Sequence, residues 1–228
     1  MVLLAAASAR DDTYARAART FDKWCEKPSP EKTIVSPDRR TILRVRYAEE
    51  SVNKASLWLP KVELRVGGKA VPLELPALWN QYEVLWSPAS DAFTIAGGAS
   101  AIGGFDFRVE FLEGDSVREF DLAGAARRDI ADRFVICRSK WSPDACGGYG
   151  PEGDWVNVMP LAWVDAKTLL VFAEVPSSSR FGGMMGQVMG YEVALPSGKI
   201  KKSYTARELK RCCTRYMGWK YRVPEAPE

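Results

Sequence analysis

Ser36-Pro37-Asp38-Arg39-Arg40-Thr41-Ile42-Leu43 returns further along the chain as Trp86-Ser87-Pro88-Ala89-Ser90-Asp91-Ala92-Phe93. A degraded third copy reads Trp163-Val164-Asp165-Ala166-Lys167-Thr168-Leu169-Leu170. Each copy opens an apolar run. A turn and strand that recur in the same order mark one supersecondary unit copied along the chain, so the architecture is read before any residue is given a chemical role.

Working outward from these turns, blade-like units are expected near residues 33–75, 84–122 and 160–204. The first holds a strand over 42–47, a polar link through Ser51 and Asn53, a second strand over 62–66 and a Gly67-Gly68-Lys69 turn. The second holds strands over 93–96 and 105–112, then a Glu113-Gly114-Asp115 turn into 117–122. The third holds strands over 169–173 and 191–195, then Pro196-Ser197-Gly198-Lys199 into 200–204. In Phe105-Asp106-Phe107-Arg108-Val109-Glu110-Phe111 the apolar residues alternate with charged ones, the period-two pattern of a half-buried strand. Glycine turns between such runs supply the positive φ of tight antiparallel hairpins.

Trp-Ser-Pro-Asp followed by a strand, a loop, a second strand, a glycine turn and a third strand resembles the blade of TolB-type β-propellers. The likeness covers about 33–204, interrupted over 124–158, with Ala89 in place of the turn aspartate and Val164 in place of Ser-Pro. It implies an all-β chain: a partial or irregular β-propeller-like array of antiparallel sheets with short flanking helices. Three blades are fewer than the four to eight that usually close a ring. The alternative fold is a β-sandwich.

A chain of 228 residues is long enough for one well-buried core, so a single β-rich domain over 10–228 is expected. Residues 1–9 end in Ala7-Ser8-Ala9, the small-x-small form of a secretory cleavage site, and read as the end of a truncated signal peptide. This favours the periplasm or the exterior; a cytoplasmic address is the alternative. No apolar run is long enough for an integral membrane segment. Helices are expected near 11–26, from the spacing of Tyr14, Ala17, Ala18, Phe21, Trp24 and Cys25, and near 205–213, opened by the Thr205-Ala206-Arg207-Glu208 capping box. Residues 123–134 also carry alanines and apolar residues at helical spacing.

The net charge of +3 gives no electrostatic case for nucleic acid, and the basic stretch from Lys199 to Arg215 reads as a solvated helix and turn. The sequence contains no histidine, which excludes imidazole as base, ligand or triad member. With no Cys-x-x-Cys either, neither a metal nor another cofactor is expected. Cys137 and Cys146 flank a short segment with Pro143 and read as a disulfide; Cys25 would meet Cys212 or Cys213 if the terminal helices packed together, a pairing the sequence leaves open. Trp86, Trp141 and Trp163 are expected in the core, beside the repeated turns. The glycine run at 97–104 sits between strands and lacks a phosphate-loop ending, so it reads as a connecting loop.

No catalytic residue is assigned. A carboxylate pair could cleave glycosides, with Asp38, Asp91, Asp106, Asp144, Asp154 and Asp165 as candidates, although a turn aspartate ordinarily bonds its own backbone. Phe181, Met184, Met185 and Met189 stand in a glycine-rich segment that reads as an adaptable apolar interaction loop. The functional expectation is a secreted or periplasmic, non-enzymatic module that binds a protein or envelope component. A carboxylate-based glycan-active enzyme and a structural or oligomerising element are the alternatives.

Overall fold

The computed structural model describes residues 14–16, 32–52, 55–73, 81–98, 105–134, 156–176 and 185–217. These form three antiparallel sheets and two short helices. The first sheet is β2 (Lys32–Val35), β3 (Thr41–Val52), β4 (Ala55–Val66) and β5 (Lys69–Val71), side by side in chain order. The second has β6 (Gln81–Trp86), β7 (Ala92–Gly98), β8 (Phe105–Glu113) and β9 (Ser116–Phe120), with β1 (Tyr14–Arg16) added at the β6 edge. The third is β10 (Asn157–Asp165), β11 (Thr168–Glu174), β12 (Val188–Ala194) and β13 (Ile200–Thr205). Each sheet therefore runs as a meander of strands consecutive in the chain, with β2, β6 and β10 leading into the turns at Ser36, Ser87 and Asp165.

The helix expected over 11–26 is not formed at Tyr14–Arg16, which pair antiparallel with Glu83–Leu85. A three-residue stretch carries little helical preference of its own, and the β6 edge offers its backbone groups a ladder. The remainder of that expected helix lies outside the described residues. Helices do form at α1 (Ala123–Phe134) and α2 (Ala206–Met217). Asp121 caps α1 by accepting the Gly124 amide at 2.9 Å. At α2, Glu208 accepts the Thr205 amide at 2.8 Å and donates its own amide to the Thr205 hydroxyl at 3.4 Å, the reciprocal capping box.

The described residues group into two compact units, one made of those up to 99 with 109–120, the other of 100–108 with those from 121 onward. In the first unit, Ile34, Leu43, Leu64 and Val71 of the first sheet share a core with Val84, Trp86, Phe93 and Ile95 of the second. Register explains the grouping: Leu43 stands opposite both Ile34 and Leu64, and Leu64 opposite Val71, so all four lie on one face. The other face of the first sheet is open and largely polar, with Thr33, Val35 and Ala70 exposed and Ile42, Arg44, Glu63 and Arg65 partly so. Within the second sheet β6 and β7 are buried on both faces, since Leu85, Thr94 and Ala96 are covered as well, while β9 is largely exposed.

Alternation in β8 holds on one side only. Phe107 and Val109 are buried as expected, yet Glu110 is 2 % exposed and Leu112 packs against the core of the first unit. As an inner strand with a neighbour on each side, β8 has its even positions Arg108 and Leu112 partly covered as well.

In the second unit the third sheet lies between the helices. On one face Leu209 and Cys213 of α2 pack with Leu161, Leu170, Phe172, Val188 and Tyr204. On the other, Arg133 of α1 reaches the Ser203 hydroxyl at 3.2 Å, beside Tyr191 in the register. Close approach fixes a residue here: a Cβ on Gly190 would sit 2.4 Å from Leu209 Cδ2.

Candidate functional site

The turns at Ser36 and Ser87 are built alike at atomic level. In the first, the Ser36 amide donates to the Thr41 carbonyl at 2.9 Å, and the Ser36 hydroxyl accepts the Thr41 amide at 3.0 Å. In the second, the Ser87 amide donates to the Ala92 carbonyl at 2.8 Å, and the Ser87 hydroxyl accepts the Ala92 amide at 3.3 Å. Arg39 (φ 63°) and Ser90 (φ 61°) occupy the same left-handed position in the two copies. The third turn is shorter, because Asp165 pairs directly with Thr168 across a tight reversal. All three turns keep one further bond: the carbonyls of Arg40, Asp91 and Lys167 accept the amides of Gly67, Leu112 and Leu195, each at 2.9 Å.

This construction engages the candidate carboxylates. Asp38 accepts from the Ser36 hydroxyl at 2.6 Å and the Arg40 amide at 3.0 Å, and those two bonds hold its carboxyl below the usual range. Asp91 accepts from the Ser87 hydroxyl at 2.7 Å. Asp165 accepts the Lys167 amide at 2.7 Å, which likewise lowers its carboxyl. Each belongs to its own turn. Asp144 and Asp154 lie outside the described residues, as do Trp141, Cys137, Cys146, Phe181 and Met184; of Asp106 only the backbone, in β8, is described. Trp86 and Trp163 are in the core, at 1 % and 9 % exposure.

Met185 is 48 % exposed beside the turn that enters β12, whereas Met189 is 5 % exposed within β12, opposite Ala173 and Thr205. Of these two, Met185 is at the surface, while the strand carries Met189 inward. Cys212 and Cys213 are joined to each other, with sulfurs 1.97 Å apart, which answers the pairing the sequence left open for them; Cys25 lies outside the described residues.

Two features escaped the sequence reading. The first is Glu174, the last residue of β11, whose carboxyl is held above its ordinary range by burial; a hydrogen bond with Asn157, 8 % exposed, opposes that shift. An acid closing the apolar run Leu169–Ala173 was its signal. Val175 and Gln187 join their backbones beside it, at 2.9 Å, so Met185 and Glu174 lie at the same end of the third sheet. The second is the β3–β4 hairpin. Ser51 of the supposed polar link is in strand, β3 and β4 pairing without interruption from Thr41↔Val66 to Val52↔Ala55, while Asn53 lies outside the described residues. Among the described strands, β2 flanks β3 only at Ile42–Val45, and β5 flanks β4 only at Leu64–Val66. No other described strand flanks the rest of the hairpin, which there runs as a two-stranded ribbon.

No protein-family model, curated protein or solved structure matches the chain. No described helix is long and apolar enough to cross a membrane.

Proposed function

We propose that this chain is a non-enzymatic interaction module, exported to the periplasm or beyond, whose meanders are propeller-like blades presenting the β3–β4 ribbon to a protein of the envelope. The ribbon carries the reading. Both its strands run 12 residues, while the flanking strands β2 and β5 run 4 and 3. Two-stranded ribbons are marginal alone in water, so a ribbon extending past its sheet gains from a partner that covers it. The turn aspartates support the same view, since Asp38, Asp91 and Asp165 each accept hydrogen bonds from the backbone or the serine hydroxyl of their own turns. A photo-crosslinking residue at Ser56, introduced into the chain in its native cells, should trap a protein adduct, and a ribbon that traps none removes the proposal. Export predicts that Cys137 and Cys146 are bridged in the mature protein, which non-reducing peptide mapping reads directly.

A second reading rests on Glu174. A carboxyl raised by burial is the form a glycosidase needs as its general acid. Release of reducing ends from envelope glycans, abolished by Glu174→Gln, would establish the enzyme. Hydrolysis unaffected by the substitution, or absent from the unaltered chain, removes it.

A further inference from the structure

We infer that the outer edge of β3, at Tyr47, Glu49 and Ser51, takes up an extended, proline-free, basic segment of another protein as an added strand. The inference rests on the interaction-module reading and names its partner's chemistry.

Two backbone bonds set the direction of every group along β3. Ser36, at the end of β2, donates to Thr41, and Gly67, at the end of β4, donates to Arg40. Odd-numbered residues of β3 therefore aim N–H and C=O toward the β2 side, and even-numbered residues aim theirs toward β4. Along the ribbon the odd positions on the β2 side are Tyr47, Glu49 and Ser51, which have no strand opposite them among the described residues.

Proline closes the competing routes. Pro60 stands opposite Tyr47, so the N–H it lacks would have pointed to the outer edge of β4, and that edge is a poor template. Continuing β2 backward along β3 would place Pro30 opposite Tyr47, with no donor to offer. The stretch from Arg46 to Val52 contains no proline. One edge is thus left competent while its neighbours are blunted.

Charge decides between a second copy and a different chain. Two β3 edges could pair antiparallel about a two-fold axis, but a register centred on Ala48 places the partner's Ser51 opposite Val45, already paired with Lys32. Centring on Glu49 sets Glu49 against itself, and centring on Glu50 sets Glu50 against itself. Like charges directly opposite are destabilising. Successive glutamates instead fit a strand bearing lysine or arginine, and main-chain bonds supply the rest of the affinity, as in other strand-addition complexes.

The test uses the full chain and a synthetic peptide of alternating valine and lysine, with the glutamate-for-lysine peptide as control. The lysine peptide should bind and slow hydrogen exchange at the Tyr47, Glu49 and Ser51 amides. Glu49→Pro removes an outward donor without touching a bond to β4, and should abolish that protection while the fold persists by circular dichroism. Glu49→Lys with Glu50→Lys should weaken the lysine peptide roughly tenfold and admit the glutamate peptide. Slow exchange of the three amides in the free monomer would mean the chain covers its own edge. A free chain of twice the expected mass that Glu49→Pro returns to monomer would assign the edge to a second copy. Binding that survives Glu49→Pro would show attraction without strand addition. Each of these overturns the inference. A Ser56 crosslink to a protein alongside any of them leaves the module reading standing, and loss of the crosslink removes both.

Discussion

The Asp38 amide donates to the Ser90 hydroxyl at 3.1 Å, across 52 positions of sequence. One repeated turn is thereby latched to the next, at the residue that sits left-handed in the second copy. A second tie joins the two sheets, from the Lys69 ammonium to Asp115 at 2.6 Å, but both partners are exposed and such pairs contribute little.

Ser90 therefore combines a strained backbone with a bond between sheets. Ser90→Ala keeps the φ and loses the bond, at a cost of about 0.5–1.5 kcal/mol. Ser90→Gly also loses it but relieves the left-handed penalty of roughly 1–2 kcal/mol, against a larger loss of chain entropy. The expected order of urea midpoints is unaltered chain, then Gly, then Ala. An alanine variant as stable as the unaltered chain would remove the latch.

Packing in β8 gives a sharper contrast. Phe107 is 1 % exposed, and Phe107→Ala should cost about 3–5 kcal/mol as a buried aromatic truncation. Arg118, on β9, has a side chain 58 % exposed in an ion pair with Glu113 at 2.8 Å, so Arg118→Ala should cost under about 1 kcal/mol. Equal losses in denaturant titration would contradict this burial of β8.

How much of this was legible follows from range. The turns were readable because Ser36 and Ser87 bond residues five positions on, and the Thr205–Glu208 cap spans three. Met189 was misread because a glycine-rich neighbourhood says nothing of where β12 begins, which its pairing with Ala173 and Thr205 decides. Tyr14 to Arg16 were misread because helical spacing over so few residues yields to a sheet edge distant in sequence. The ribbon was missed because Glu49-Glu50-Ser51 lacks alternation; its strand character comes from register carried along the hairpin. Glu174 needed the same non-local information, since its neighbour Asn157 enters from β10.

Gly190 and Leu209 make a testable pair. A methyl at 190 would lie 2.4, 3.0 and 3.3 Å from three atoms of Leu209, which is itself fully buried. Overpacking of this kind costs about 1–3 kcal/mol, so Gly190→Ala should destabilise and loosen α2. Leu209→Ala should destabilise too, by leaving a cavity. The double variant should lose less than the sum of the two single losses, a coupling that thermal or urea unfolding resolves. Strict additivity would mean that α2 does not pack on Gly190.

Acidity offers the last test, because two kinds of carboxyl pull in opposite directions. Asp38 and Asp165 are held below their ordinary value of 3.8 by turn hydrogen bonds, so their contribution is present above the unfolded pKa and lost as pH falls through the folded one. Glu174 is held above 4.5, chiefly by burial. Its contribution is full below the unfolded pKa and disappears as pH rises through the folded value, leaving a buried charge that weakens the fold at neutrality. Glu174→Gln should therefore raise stability at pH 7 and change it little well below 4.5, whereas Asp38→Asn should lower stability at pH 7 and lose its effect in acid. Asn157→Ala removes the bond that opposes the Glu174 shift, so the proton should then be held to still higher pH. Urea midpoints measured across pH for the three variants check each sign, and a Glu174→Gln variant less stable at pH 7 than the unaltered chain would mean that the ionised carboxylate is favourably placed at the end of β11.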